Sequence, residues 1–163
     1  MAKYFKVIAD NRKARFDYNI LETYKAGLVL EGSEVKSIRQ GGANLKESFG
    51  RVEKGEVWIH GMHISPYQTA DKMKLDPIRP RKALLKKAEV LKLVGKVAEK
   101  GLTLIPLKLF FEGNWAKIEI GLAKAKKKYE KRDVIKRREV KREIEKAFKG
   151  KTYGRKREQK IQS

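Results

Sequence analysis

The sequence predicts a mainly β fold with helical inserts (α+β): a small closed barrel over residues 1–122, followed by a basic tail over residues 123–163. Three observations carry this expectation. Many short runs of alternating apolar and polar residues are separated by turn residues, with only two or three helical stretches among them. That pattern suits a closed barrel better than a doubly wound sheet. Leu102 to Leu122 reads as a clear hairpin. Charge is also uneven: residues 1–122 hold 23 basic and 14 acidic side chains, a net +9, whereas residues 123–163 hold 18 and 6, a net +12. The apolar share of 40% over 163 residues suffices for one core and one ordinary domain with an appendage.

Taken in order, Tyr18, Ile20, Tyr24 and Leu28 fall at even spacings and mark a strand ending over Gly27 to Leu30. Gly32-Ser33-Glu34 signals a turn and a helix cap. Val35 and Ile38 follow three apart, so a short helix runs from about Ser33 to Gln40 and is closed by Gly41-Gly42. Lys36 and Arg39 share another face of that helix, either as ordinary solvated charge or as a basic ridge for phosphate. Strands are expected at Ser48 to Glu53 and Glu56 to Ile64, joined at Lys54-Gly55. His60 and His63 are three apart on the second strand, so their side chains diverge and they read as surface or partly buried residues rather than ligands.

Three of the four prolines fall between Ser65 and Pro80, which reads as a loop. Arg81 to Glu99 has helical periodicity through Leu84, Leu85, Ala88, Leu91 and Val94, with Gly95 marking a break or bend. Arg79, Arg81 and Lys82 gather at the entrance of that predicted helix. Positive charge there opposes the helix dipole, and an anion would favour the cluster. The hairpin turns at Glu112-Gly113-Asn114. Its second strand alternates Ala116, Ile118, Ile120 and Leu122 with Lys117 and Glu119, so one face is buried. Pro106 lacks an N–H and places the first strand at an edge or a bulge.

The net charge of +21 and pI near 10.1 point to a polyanionic partner. The tail's density supports this. Lys126, Lys127 and Lys128, then Lys131 and Arg132, then Lys136, Arg137 and Arg138 recur at intervals that suit a polyphosphate, although a charge run can also be a solubilising extension. The longest stretch without a charged side chain, residues 57–70, is broken by His60, Gly61, His63 and Pro66. No membrane-spanning helix is expected. The first residues show no signal-peptide pattern, so a cytoplasmic location is expected. With no cysteine and two histidines, neither a disulfide nor a metal site is expected. Phosphate-binding, dinucleotide-binding and metalloprotease motifs are absent from the sequence, and no catalytic residue or cofactor is expected. Aromatic residues (Tyr4, Phe5, Trp58, Phe110, Phe111, Trp115) have the faces to stack on bases, but most are expected in the barrel core. From composition and pattern, the chain is an RNA- or DNA-binding module.

One ordered set of motifs narrows this. Asn11-x-Lys13-Ala14-x-x-Asp17-Tyr18-x-Ile20 is followed by Tyr24-x-Ala26-Gly27-Leu28-x-Leu30-x-Gly32-Ser33-Glu34-Val35-Lys36-Ser37-Ile38-Arg39. Next come Asn44-Leu45-Lys46-Glu47-Ser48-Phe49, Asp76-Pro77-x-Arg79-x-Arg81-Lys82-x-Leu84-Leu85, Gly95-Lys96 and Ile105-Pro106-Leu107. Last is Ala123-Lys124-x-Lys126-Lys127, continuing to Lys131-Arg132. In this colinear order over roughly residues 8–148, the chain resembles the SsrA-binding protein (small protein B) family. The resemblance implies an oligonucleotide-binding-type barrel and a role in ribosome rescue by trans-translation. Its partners would be transfer-messenger RNA, in a 1:1 complex with a monomer, and the stalled 70S ribosome with its ribosomal RNA. Elongation factor Tu and alanyl-tRNA synthetase would be reached indirectly through the RNA.

Carried over position by position, the resemblance places Asn11, Lys13, Glu34, Lys36, Arg39, Arg79, Arg81, Lys82 and Leu84 on the barrel's RNA-binding side. It assigns Lys124, Lys126, Lys127, Lys128, Tyr129, Lys131, Arg132, Ile135, Lys136, Arg137 and Arg138 to a tail that enters the ribosome's empty messenger channel. Several positions depart from the family pattern. Lys25 stands where an acidic residue is frequent, Ala83 replaces a leucine, and Lys74-Leu75 replaces Asn-His. Ala125 replaces a glycine, which favours helix by about 1 kcal/mol. Few apolar anchors hold the tail, so it is expected to be largely unstructured free in solution and helical against ribosomal RNA. A ribosomal or transfer-RNA-binding structural protein would share the charge and the barrel, and an RNA-modifying enzyme would add a catalytic group.

Overall fold

The computed structural model describes residues 4–67, 75–99 and 101–161. The chain runs β1 (Phe5–Asp10), α1 (Arg12–Asp17), β2 (Tyr18–Leu28), α2 (Gly32–Arg39), β3 (Ala43–Asn44), β4 (Phe49–Glu53) and β5 (Glu56–His60). It continues with β6 (His63–Ile64), β7 (Arg81–Leu84), α3 (Lys87–Val97), β8 (Leu102–Glu112), β9 (Trp115–Ala125) and α4 (Lys128–Ile161). It divides into two compact units, residues 1–125 and residues 126–163.

In the first unit seven strands pair antiparallel in the order β1-β8-β4-β5-β7-β2-β9, and β9 also pairs with β8. The sheet therefore closes on itself as a ring, the arrangement expected of the barrel, with β1 added outside it. Strand β8 is long enough to serve three neighbours. Leu104 meets Gly50 of β4, residues 108–112 meet β1, and β9 runs along the other edge. Inward-facing Val57, Ile59, Leu104, Leu109, Ile118 and Ile120 fill the ring. Ile38 of α2 and Leu93 of α3 are fully buried in the same core, so both helices are anchored on it by an apolar side chain.

Local chemistry explains most turns. Lys54 and Gly55 both take positive φ (50° and 73°), the geometry of a two-residue hairpin turn between β4 and β5. The strand expected over Glu56 to Ile64 instead breaks into β5 and β6 at Gly61. That glycine has φ 72°, and a Cβ there would lie 2.7 Å from the Glu47 carbonyl oxygen, so the chain turns where only glycine fits. Pro106 sits beside a bulge, between Pro106 and Lys108 in the β8–β9 register, which is one of the two placements its missing N–H allows. Strands β1 and β3 and helix α1 are elements that the sequence patterns leave unassigned.

The largest correction concerns residues 81–99. Arg81–Leu84 is strand β7, which closes the ring between β5 and β2, and the helix begins only at Lys87. Arg81 and Ala83 are buried while Lys82 is partly exposed and Leu84 exposed, a two-residue period that the repeated leucines disguise. Arg81 and Lys82 are therefore strand residues rather than residues at a helix entrance. Helix α3 also runs through Gly95 without a break. The loop expected over Ser65 to Pro80 includes residues 68–74, which lie outside the described residues, as does Lys74 of the Lys74-Leu75 departure. Strand β9 runs to Ala125, so Lys124, grouped with the tail from sequence, pairs with Asn19 of β2 and Leu102 of β8.

In the second unit, α4 is a single helix of 34 residues. Tyr129, Ile135, Val140, Ile144 and Phe148 are all exposed on it.

Candidate nucleic-acid interface

Glu34 is buried (5% exposed) on the first turn of α2, where its Oε1 accepts the backbone N–H of Glu31 at 3.1 Å. The rest of its carboxylate is taken by two arginines, Arg81 at the start of β7 and Arg79 just before it. Arg79 donates Nε to Oε1 at 3.0 Å, with Nη2 on the same oxygen, and Arg81 donates Nε to Oε2 at 2.5 Å. Arg81 is 1% exposed and spends its remaining donors on the carbonyls of Met62 (2.6 Å) and Pro77 (3.0 Å). Burial by itself would raise the Glu34 pKa. The hydrogen bonds from Arg79, the Glu31 amide and Arg81 more than reverse that and hold it below the ordinary carboxylate range. Burial lowers Arg81 from its usual value, against the pull of Glu34.

The anion that the arginine cluster called for is thus within the chain, 45 and 47 positions away from Arg79 and Arg81. Glu34 and Arg81 are both buried, and their bond ties α2 to β7. Asn11 is likewise internal. Its Nδ2 donates to the carbonyls of Leu45 (3.2 Å) and Pro106 (3.0 Å), and its Oδ1 accepts the Ala14 N–H at 3.1 Å, capping α1. An Asn immediately before a helix is a cap signal that sequence reading had available.

The groups left on the surface are different. Lys36 and Arg39 of α2 are exposed, Lys36 Nζ lying 5.7 Å from the Tyr67 ring centroid and the Arg39 guanidinium 5.0 Å from that of Phe111. Among the described residues neither has a carboxylate partner. Lys13 pairs with Glu47 at 2.9 Å and Lys82 with Glu56 at 2.6 Å, both near solvent. Arg79 remains partly exposed. Leu84 is 52% exposed on the outside of the ring, with its Cβ 3.5 Å from where a Cβ on Gly27 would stand. Lys25, one of the departures, projects from β2 opposite Glu119 of β9.

Of the tail cations, Lys124 stays on β9 in the first unit and those from Lys126 on belong to the second. Lys127 lies 6.0 Å from the Tyr129 ring centroid, and the Lys127 N–H donates to Glu130 Oε2 at 2.9 Å, a cap at the start of α4. Lys128, Arg132, Lys136, Arg137 and Arg138 are exposed along the helix, while Lys126 and Lys131 are partly so. Among the described residues no group of three or more His, Asp or Glu is placed to hold a metal, and no helix is long and apolar enough to cross a membrane. His60 stacks on Phe49 (5.3 Å between centroids, 12° between planes) and bonds Glu53 at 3.1 Å.

A closed antiparallel ring fringed by exposed and partly exposed cations, with a separate arginine- and lysine-rich helix, defines a polyanion-binding protein of the oligonucleotide-binding-barrel type. The family model described as SmpB protein matches residues 8–150. An SsrA-binding protein of Carboxydothermus hydrogenoformans is 58% identical over 143 residues, covering 88% of this chain and 96% of its own. One from Geobacillus thermodenitrificans is 59% identical over 143 residues, covering 88% and 92%. A solved chain described as "tmRNA-SmpB: a journey to the center of the bacterial ribosome" matches with a TM-score of 0.62 at 49% identity, covering 73% of this chain and 84% of that one. The chain belongs to the SmpB protein family.

Proposed function

We propose that this chain is a cytoplasmic RNA-binding protein that binds the transfer-RNA-like part of transfer-messenger RNA and delivers it to stalled ribosomes in trans-translation. Membership of a family of SsrA-binding proteins carries the reading, supported by a solved relative described with transfer-messenger RNA and the ribosome. On the first unit, Lys36, Arg39, Lys13, Lys82, Arg79 and Leu84 are the groups that meet the RNA, because they are the ones left exposed or partly exposed. Asn11, Glu34 and Arg81 act by positioning them. The second unit, with the basic run from Lys126 to Arg138, occupies the empty messenger channel, where its charge suits ribosomal phosphates.

The test is reconstitution. Purified protein is added to ribosomes stalled at the 3′ end of a messenger with alanyl-transfer-messenger RNA, and tagging is measured. Tagging that needs the protein supports the reading. Absence of both tagging and binding to the transfer-RNA-like domain would refute it.

A further inference from the structure

Aromatic residues of the first unit are not all in the core. Phe110 and Phe111 are buried, but Trp115 is 75% exposed, Phe5 57% and Tyr4 56%. Their backbones meet at one corner. Phe5 of β1 pairs with Glu112 of β8, which pairs with Trp115 of β9, and the Gly113 N–H of the hairpin turn donates to the Tyr4 carbonyl at 2.7 Å. Directly paired residues share a face. The next pair along, Phe111 with Ala116, belongs to the core, so the Phe5–Glu112–Trp115 row points outward. Two strand spacings put Phe5 and Trp115 about 10 Å apart. The corner is also held in place: the Phe5 ring packs 5.1 Å from the buried Phe110, and Lys117 grips Glu112 at 2.9 Å.

A surface seldom leaves two large aromatic rings exposed side by side without a use for them. Residues 1–122 carry a net charge of +9, which favours nucleic acid over an apolar peptide. We propose that Trp115, with Phe5 beside it, is a stacking platform for unpaired bases of the bound RNA. This rests on the RNA-binding reading above and adds to it a contact that reads a base face rather than a backbone charge.

The chain has two tryptophans, so Trp58→Phe leaves Trp115 as the sole indole reporter. That variant is titrated with a transcript of the transfer-RNA-like domain, following emission, alongside filter binding of W115A and W115F across a range of salt. Stacking predicts quenching of Trp115 and a roughly 5- to 100-fold loss of affinity in W115A, with W115F close to wild type. It also predicts an unchanged salt slope in W115A, because a ring contact releases no counterion. Because Trp115 is so exposed, W115A should keep the wild-type melting temperature, which separates lost contact from lost fold. Unquenched Trp115 emission at saturation, with W115A binding as tightly as wild type, would overturn the platform and leave the RNA-binding reading standing. Failure of the wild type to bind the transcript would remove that reading itself.

Discussion

Arg81 Nε reaches Glu34 Oε2 at 2.5 Å, and both side chains are at least 95% buried. A charged pair so far from water is stable only as a pair. Removing one member strands the other, at a cost of about 3–5 kcal/mol, a large part of the 5–15 kcal/mol that typically holds a domain together. Glu34→Gln should therefore lower the denaturant midpoint sharply, whereas the double variant Glu34→Gln/Arg81→Met should recover part of the loss because no buried charge is left alone. Equal midpoints for Glu34→Gln and wild type would show that the pair is dispensable.

The same carboxylate sets a pH dependence. Its pKa in the folded chain lies below the ordinary 4.5, because the hydrogen bonds from Arg79, Glu31 and Arg81 outweigh burial. A group depressed in this way contributes its full stability above its unfolded value and loses it as pH falls through the folded one. The stability gap between wild type and Glu34→Gln should thus be widest near neutrality and should narrow below about pH 4.5. Urea titrations at a series of pH values read this directly, and a gap that widened with acid would contradict it.

How far the fold was legible in the sequence depended on the distance over which each residue finds its partner. Strand β2, helix α2 and the β8–β9 hairpin were legible because alternation and turn residues are local signals. Strand β7 was not, since four residues ending in Leu84 and followed directly by Leu85 fit a helical period as well as a strand. What decides it is the ring, which needs a strand between β5 and β2. The arginine cluster was legible as a demand for an anion, but Glu34 lies 45 and 47 positions back and no local pattern names it. The exposed rim cations Lys36 and Arg39 were legible only as alternatives. Burial of their neighbours Ser37 and Ile38 is what leaves them facing outward.

Asn11 makes a prediction that separates positioning from contact. Its amide donates to Leu45 and Pro106 while its oxygen caps α1 at Ala14. Asn11→Asp keeps the acceptor but turns a carboxylate toward two carbonyl oxygens; Asn11→Ala loses the cap as well as both donations. Unsatisfied buried groups cost about 1–3 kcal/mol each, so both variants should be destabilised, and Asn11→Asp should partly recover on acidification. Because Asn11 is buried and acts through position, RNA affinity should fall only in step with stability in both variants. Lost RNA affinity in a variant that keeps the wild-type melting temperature would make Asn11 a direct contact after all.

The last expectation concerns α4. Its side chains through Lys149 are exposed or partly exposed, so within its own unit little apolar burial repays the roughly 1–2 kcal/mol per residue of backbone ordering. Asp133 with Arg137 and Glu145 with Lys149 add only about 0.2–0.5 kcal/mol each. Against these stand like-charge neighbours four apart, such as Lys128 with Arg132, Arg132 with Lys136 and Arg138 with Arg142, and the glycines at 150 and 154. Phosphates would remove the repulsion without touching the ring. Far-UV circular dichroism should accordingly show helix gained by the full chain when a polyphosphate RNA is added, and the gain should vanish when residues 126–163 are deleted. The shortened chain should still bind the transfer-RNA-like domain, with affinity reduced much less than tagging, which should be lost. A free tail already fully helical and protected from hydrogen exchange, or equal loss of binding and tagging on deletion, would sink this division of labour between the two units.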